Sequence, residues 1–202
     1  MKNIVKISLA GMMLSSLAFV GCKKGPDDPF MSLHTRKGRV VGDWTLKAGT
    51  ETMSNGSSTT TYTWDGTNIT VTQGSNSSTN GETVTVNFEK DGTYKMVTTD
   101  TYTTPFAYTD TQTSTGTWNF TGKIGDDKNK DHIVMRELSN TDVVAAGSST
   151  TTTTSSYTGD SAPATVWYLD ELKNKEMKIT WNGTSTAGSS TDSDQGSMTF
   201  NQ

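Results

Sequence analysis

The chain has one cysteine, two histidines and four prolines in 202 residues, and apolar side chains make up only 31% of it. Each shortage excludes something. A single Cys forms no internal disulfide. His34 and His132 are the only histidines, and His132 alone falls in the body of the chain, which leaves no zinc-type ligand set. A Ser-His-Asp arrangement would have to pair His132 with Asp131, whose side chains face opposite ways on a strand. Glu137 and Glu171 could serve a glycosidase, but nothing in the acidic spacing suggests such a pair. The 17 basic residues form no cluster and are outnumbered by 21 acidic ones; a net charge of −4 makes nucleic acid a poor partner. No segment carries a helical period over about 11 residues. These absences argue against an enzyme, a metal protein or a cofactor carrier.

Apolar content this low, against about 45–50% in ordinary globular domains, would suit disorder. What is present argues otherwise. Thr, Tyr, Trp and Val alternate along most of the chain, and Thr fits a half-buried pleated surface as well as the apolar strand formers do. The composition reads as a folded, Thr-rich all-β domain.

The longest apolar run is Ile7 to Val20, interrupted only by Ser8, Gly11, Ser15 and Ser16. Lys2 and Lys6 precede it, and Gly21-Cys22 closes it. This order of charge, short apolar core and small residue is that of a secretory leader, too short and wrongly flanked to span a bilayer. With the sole Cys immediately after it, the segment resembles a bacterial lipoprotein signal. That resemblance implies removal of residues 1–21, acylation of Cys22 and an outer-membrane address on the periplasmic or cell-surface side. The mature chain of 181 residues then carries a charge near −6. Residues 22–38 read as a tether: Gly25, Pro26 and Pro29 break early structure, and sixteen residues reach about 55 Å. Asp27-Asp28 is a solvated pair or part of a surface-export signal. A short helical turn from Phe30 to Lys37 would tuck Phe30 and Leu33 against the domain.

From Arg39 to the end, ten segments alternate with period two: 39–48, 59–64, 67–73, 82–89, 93–103, 111–120, 131–138, 165–172, 176–182 and 197–201. Tight turns stand at Asp65-Gly66, Lys90-Asp91-Gly92 and Lys173-Asn174-Lys175. The connections 49–58, 74–81, 139–164 and 183–196 are long and rich in Ser, Thr, Gly and Asn. In an up-and-down antiparallel sheet, odd and even connections lie at opposite ends. The long polar connections should therefore share one end, and the tight turns and the tether the other. The Thr150–Thr154 run reads as a loop tip rather than a strand, since nothing in it can be buried.

Asp28-Pro29-Phe30, Ser32-Leu33, Arg36-Lys37, Arg39-Val40 and Gly42-Asp43-Trp44 together resemble the start of lipocalin-like lipoproteins of the Bacteroidota. The hairpins Phe88–Tyr94 and Trp167–Trp181 are similar to theirs too. The resemblance implies an up-and-down calycin-like barrel or half-barrel of eight to ten strands over residues 39–202. It also implies that the Gly-x-Trp tryptophan, Trp44, closes one end, against an arginine from a late strand. Arg136 is the arginine within such a strand. It shares a face with Val134 and Leu138; inward it would hold a carboxylate or stack on Trp44, outward it is a solvated charge.

Trp44, Tyr94, Trp118, Arg136 and Trp167 are the candidate ligand-contacting residues. Asp127, Asn129 and Asp131 have calcium-loop spacing, but His132 stands where such a loop has Gly, and Leu138 replaces its closing Glu; solvated charge is the better reading. Asp160-Ser161-Ala162 resembles an O-glycosylation sequon, making Ser161 a candidate acceptor. The expectation is a monomeric, non-catalytic lipoprotein held to the membrane through Cys22, binding a small apolar ligand. The alternative is an accessory surface protein whose Ser/Thr-rich loops contact a glycan or envelope protein.

Expressed with its leader, the chain should incorporate labelled palmitate and sediment with membranes. Cys22→Ser should abolish both, and an unlabelled wild-type chain in the soluble fraction would contradict the reading.

Overall fold

Alternating side chains produce strands along nearly the whole chain. The structure, a computed structural model, describes residues 35–55, 58–103, 105–122, 131–187 and 190–202. A short helix, α1 (Arg36–Val40), precedes eleven strands: β1 (Gly42–Asn55), β2 (Ser58–Trp64), β3 (Asn68–Gln73), β4 (Asn76–Phe88), β5 (Thr93–Tyr102), β6 (Tyr108–Gly122), β7 (Asp131–Ala146), β8 (Ser149–Ser156), β9 (Ala164–Leu172), β10 (Glu176–Ala187) and β11 (Ser190–Asn201). Every pairing is antiparallel. Ten strands close into a barrel, and β8 adds to β7 as the eleventh.

One pairing divides the barrel into two tiers. Gly42–Thr45 of β1 pairs with Thr85–Phe88 of β4, bypassing β2 and β3. At that level the ring has eight strands: β1, β4, β5, β6, β7, β9, β10 and β11. Above it, Gly49–Asn55 leaves β4 for β2, and Asn76–Gly81 pairs with β3. The register of β1 shifts between Leu46 and Ala48, where the strand changes partners; a bulge there supplies the bend. The β2–β3 turn fills the fork. Gly66 sits at φ +98°, and a Cβ there would lie 2.8 Å from the Lys47 carbonyl, so a side chain fits neither the dihedral nor the space. The Asp65 carboxylate accepts from the Asn68 side-chain amide at 3.0 Å and from the Thr67 and Asn68 backbone amides at 2.9 and 2.8 Å, and these bonds, the Asn68 side chain's first, lower its pKa to about 2. The Glu82 amide donates to Thr67 at 2.9 Å and ties the turn to β4.

Eight strands enclose a space that side chains can fill. Trp44, Phe88, Trp118, Ile133, Leu172, Met177, Ile179 and Phe200 fill it, each 1% exposed or less. Phe88 meets Trp118 and Trp167 edge-on, and Trp167 stacks on Phe200. Helix α1 seals the bottom. Thr35 caps it through Gly38, and Arg39 Nη1 donates to the Leu172 carbonyl at 2.5 Å. Arg36 pairs with Asp131 at 2.7 Å, and the Trp44 indole donates to the Val40 carbonyl. Arg39 and Val40, expected at the start of the first strand, are therefore helical, and Arg36–Gly38 belongs to the folded floor. Phe30 and Leu33 lie outside the described residues, as do the 123–130 stretch and Cys22.

The long polar connections are not loops. Residues 49–55 and 76–81 are strand, as are 139–146 and 183–187, and the turns between strands shrink to pairs such as Gly74-Ser75 and Gly147-Ser148. Thr150–Thr154, expected as a loop tip, lies within β8, paired with β7 and exposed throughout. Burial was the wrong criterion there: a hydrated β-branched run satisfies its backbone in the ladder without hiding a side chain. The ends nevertheless sort as the connection rule requires. β8 and β9 both run antiparallel to β7, at successive levels, so the pair counts as one strand.

Truncating a floor residue should cost far more than truncating a rim residue. Phe88→Ala should lower unfolding free energy by about 3–5 kcal/mol, whereas Thr151→Ala should stay within about 0.5 kcal/mol of wild type in urea denaturation.

Candidate functional site

Above the floor, ten strands surround a wider space that the inward side chains do not fill. A cavity of about 610 Å³ opens there, with Val84, Met96, Trp167, Met198 and Phe200 at its base and Glu51, Glu82, Trp181 and Asp194 on its walls. A rim space of about 570 Å³ shares Gly183 and Asp194 with it and continues past Tyr62 and Met53. The cavity is also open sideways. β10 pairs with β9 only from Met177 to Thr180, and above that its residues pair with β11 alone. Ala164–Tyr168 and Trp181–Gly183 line this slit.

The wall chemistry follows from register. Glu51 stands opposite Tyr62 and Gly196, two residues along from the floor-side pair Gly49 and Met198 and so on the same face. Gly196 is glycine by necessity: a Cβ there would sit 2.2 Å from Cζ2 of Trp181, whose indole lies over it. That indole donates to Asp194 at 3.0 Å. Trp64 stacks near Tyr62 and donates to Glu82 at 2.7 Å. Glu82 is the register partner of Asp100, and Asp100 of Asp110. The inner face thus carries carboxyls on β1, β4, β5, β6 and β11. Among the described residues no Lys or Arg shares this face above the floor: Lys95 and Lys178 alternate outward, and Lys47 is exposed at the bulge.

Crowding without a cation shows in the acidities. Burial first, then the charge of Asp194 and a hydrogen bond with it, push Glu51 up to about 7, against a smaller opposing bond from Trp181. Burial raises Glu82 to about 7 as well, with Asp100 and Glu51 adding to it and the Trp64 hydrogen bond opposing. Asp110 is raised by a shared hydrogen bond with Asp142, then by burial. In each pair the crowding favours the protonated form relative to an isolated carboxyl.

The structure scatters the sequence candidates. Trp44 and Trp118 are sealed in the floor, and Tyr94 is buried with its hydroxyl 3.0 Å from Ser114 Oγ. Ser114 donates to Glu137 at 2.5 Å. Arg136 is exposed on the outer face, with one guanidinium nitrogen 3.2 Å from the Gly159 carbonyl; Ile133 and Met135 are the inward residues. It therefore meets neither Trp44 nor the cavity. Trp167 alone of the five lines the cavity. Ser161 is exposed in a 3-10 turn, Gly159–Ser161, its hydroxyl donating to the Thr158 carbonyl at 2.7 Å. His132 is buried on the face opposite Ile133, edge-on to Tyr168. Sequence reasoning missed Glu51 and Asp194, which fall in stretches read as loops. Glu82 and Trp181 were in phase with Val84 and Ile179, a signal that does point inward.

Comparison of the chain with protein-family models, with curated proteins and with solved structures finds no match.

The raised acidities set the pH dependence of folding. Glu51 and Glu82 bind protons more tightly in the folded state, so their stabilising contribution is full below their unfolded pKa of about 4.5 and is lost as pH rises through 7. The melting temperature should therefore fall between pH 5 and pH 8. The Glu51→Gln/Glu82→Gln double variant should flatten that slope; an equal slope in both proteins would refute the assignment.

Proposed function

We propose that the chain is a non-catalytic, lipid-anchored envelope protein whose lipocalin-like barrel binds a small molecule in its upper cavity. The observation that supports this is a space of about 610 Å³ with an apolar base, standing over a floor packed solid. A volume in the range of about 300–1,000 Å³ with few polar groups on an apolar base suits a drug-sized ligand. Entry is from the rim or through the slit beside β10.

An acyl group on Cys22 would hold the floor end toward the membrane, because Thr35 and α1 lie at that end. The rim would then face away from it. The accessory reading no longer rests on loops. It rests on β8, every residue of which is exposed and whose second edge pairs with no strand among the described residues; an extended segment of an envelope protein could add there.

Native mass spectrometry of the mature chain in non-ionic detergent separates the two. The binding reading predicts an adduct of a few hundred daltons that disappears in Met198→Trp, a variant that fills the cavity base. A clean apo mass with no adduct from any small molecule added would overturn it. A co-purifying polypeptide lost on deletion of β8 would favour the accessory role instead.

A further inference from the structure

We propose that the upper cavity selects an organic cation: a small molecule with an apolar body and a protonated amine held between the Glu51–Asp194 and Glu82–Asp100 carboxyl pairs. This rests on the reading of the cavity as a ligand site and specifies the charge of its occupant.

The base and the walls of the cavity ask for different things. Met198, Phe200 and Val84 offer apolar contact. The charged groups on the walls are all acidic: Glu51 and Glu82 both line the space, and their partners Asp194 and Asp100 are acidic too. A carboxyl pair in a partly desolvated wall has two ways to relieve its repulsion: retain a proton, or take a cation from outside. Among the described residues none supplies that cation, since their Lys and Arg side chains face outward or lie at the floor. An anionic ligand would add a third negative charge. A neutral one would leave both protons in place.

A bare metal ion fits less well. Among the described residues no three or more acidic, His or Cys side chains are placed to hold one. The two pairs sit on different wall segments, β1 with β11 and β4 with β5, over a common apolar base. That separation suits a molecule rather than an ion. The indole of Trp181, which lines the cavity and is bonded to Asp194, adds ring surface against which an ammonium is favourable.

Occupancy should depend on pH in a definite direction. Facing Glu51 are Asp194 from β11, Trp181 from β10, Tyr62 from β2 and Glu82 from β4; facing Glu82 are Asp100 from β5, Trp64 from β2 and Glu51. Asp110 and Asp142 continue the acidic wall beyond Asp100. All the ionisable groups among these are acids, so the wall becomes more negative as pH rises through neutrality and an amine that stays protonated binds better.

Three isosteric probes test this by calorimetry on the mature chain in non-ionic detergent: tryptamine, tryptophol and indole-3-propionate, which share an indole and differ in head charge. Tryptamine should bind at pH 8 at least about tenfold more tightly than either of the others. Its affinity should drop by about tenfold or more at pH 5.5 and in Glu51→Gln/Glu82→Gln, whose thermal unfolding at pH 8 shows whether it is folded. Tryptophol or indole-3-propionate binding as tightly as tryptamine would overturn the cation inference and leave the carrier reading standing. So would tryptamine affinity unchanged in the folded double variant. Binding of none of the three would overturn the inference, and failure of Met198→Trp to alter any native adduct would remove the carrier reading separately.

Discussion

The short pairing of Gly42–Thr45 with Thr85–Phe88 is the constraint on which the rest of this barrel depends. It makes neighbours of two strands that are separated by a whole hairpin higher up, and so gives the ring eight strands at the bottom and ten above. Barrel diameter grows with strand number. The narrow tier is therefore filled by Trp44, Phe88, Trp118 and Phe200, and the wide tier is not. The bulge near Lys47 and the Asp65–Asn68 turn are the local devices that permit the change of partner. Helix α1 completes the lower tier by covering the end that the strands leave open.

This division assigns different physics to the two ends of the same strands. In the floor, apolar burial and interlocked aromatic rings dominate. In the rim, Thr and Ser face water on both sides, and the ladder itself supplies most of the order; cross-strand hydroxyl contacts such as Thr70 with Thr79 and Thr141 with Thr154 add little each. Between the two lies the acidic wall. It is too enclosed to hydrate its carboxyls freely and too open to exclude a guest, and that is why its protons are retained near neutrality. Opposed demands of this kind are costly to stability, and they are expected where a binding function is served.

Much of the floor was legible in the sequence. The period-two segments around Trp44, Val86, Trp118, Trp167 and Ile179 locate strands, and Asp65-Gly66, Lys90-Asp91-Gly92 and Lys173–Lys175 locate their turns. The rim was not, because alternation of apolar with polar residues is the signal for a strand wet on one face only. A strand wet on both faces, such as Ser149–Ser156, looks like a loop. Glu51 and Asp194 were hidden for that reason. Arg136 was ambiguous for another: His132-Ile133-Val134-Met135 puts an apolar residue on each face, and only the pairing with β6 and β9 decides which is inside. The β1–β4 contact is non-local and leaves no pattern in either strand.

Amide hydrogen exchange, read strand by strand, tests the two-tier division most directly. Amides bonded between β1 and β4, and those of β10 from Met177 to Thr180, should be among the slowest in the domain. Those of the β2–β3 hairpin and β8 should exchange at least about a hundredfold faster, through openings that leave the floor intact. Uniform protection, with the β2–β3 hairpin as slow as the β1–β4 pairing, would contradict a sealed floor carrying a separate, more open rim.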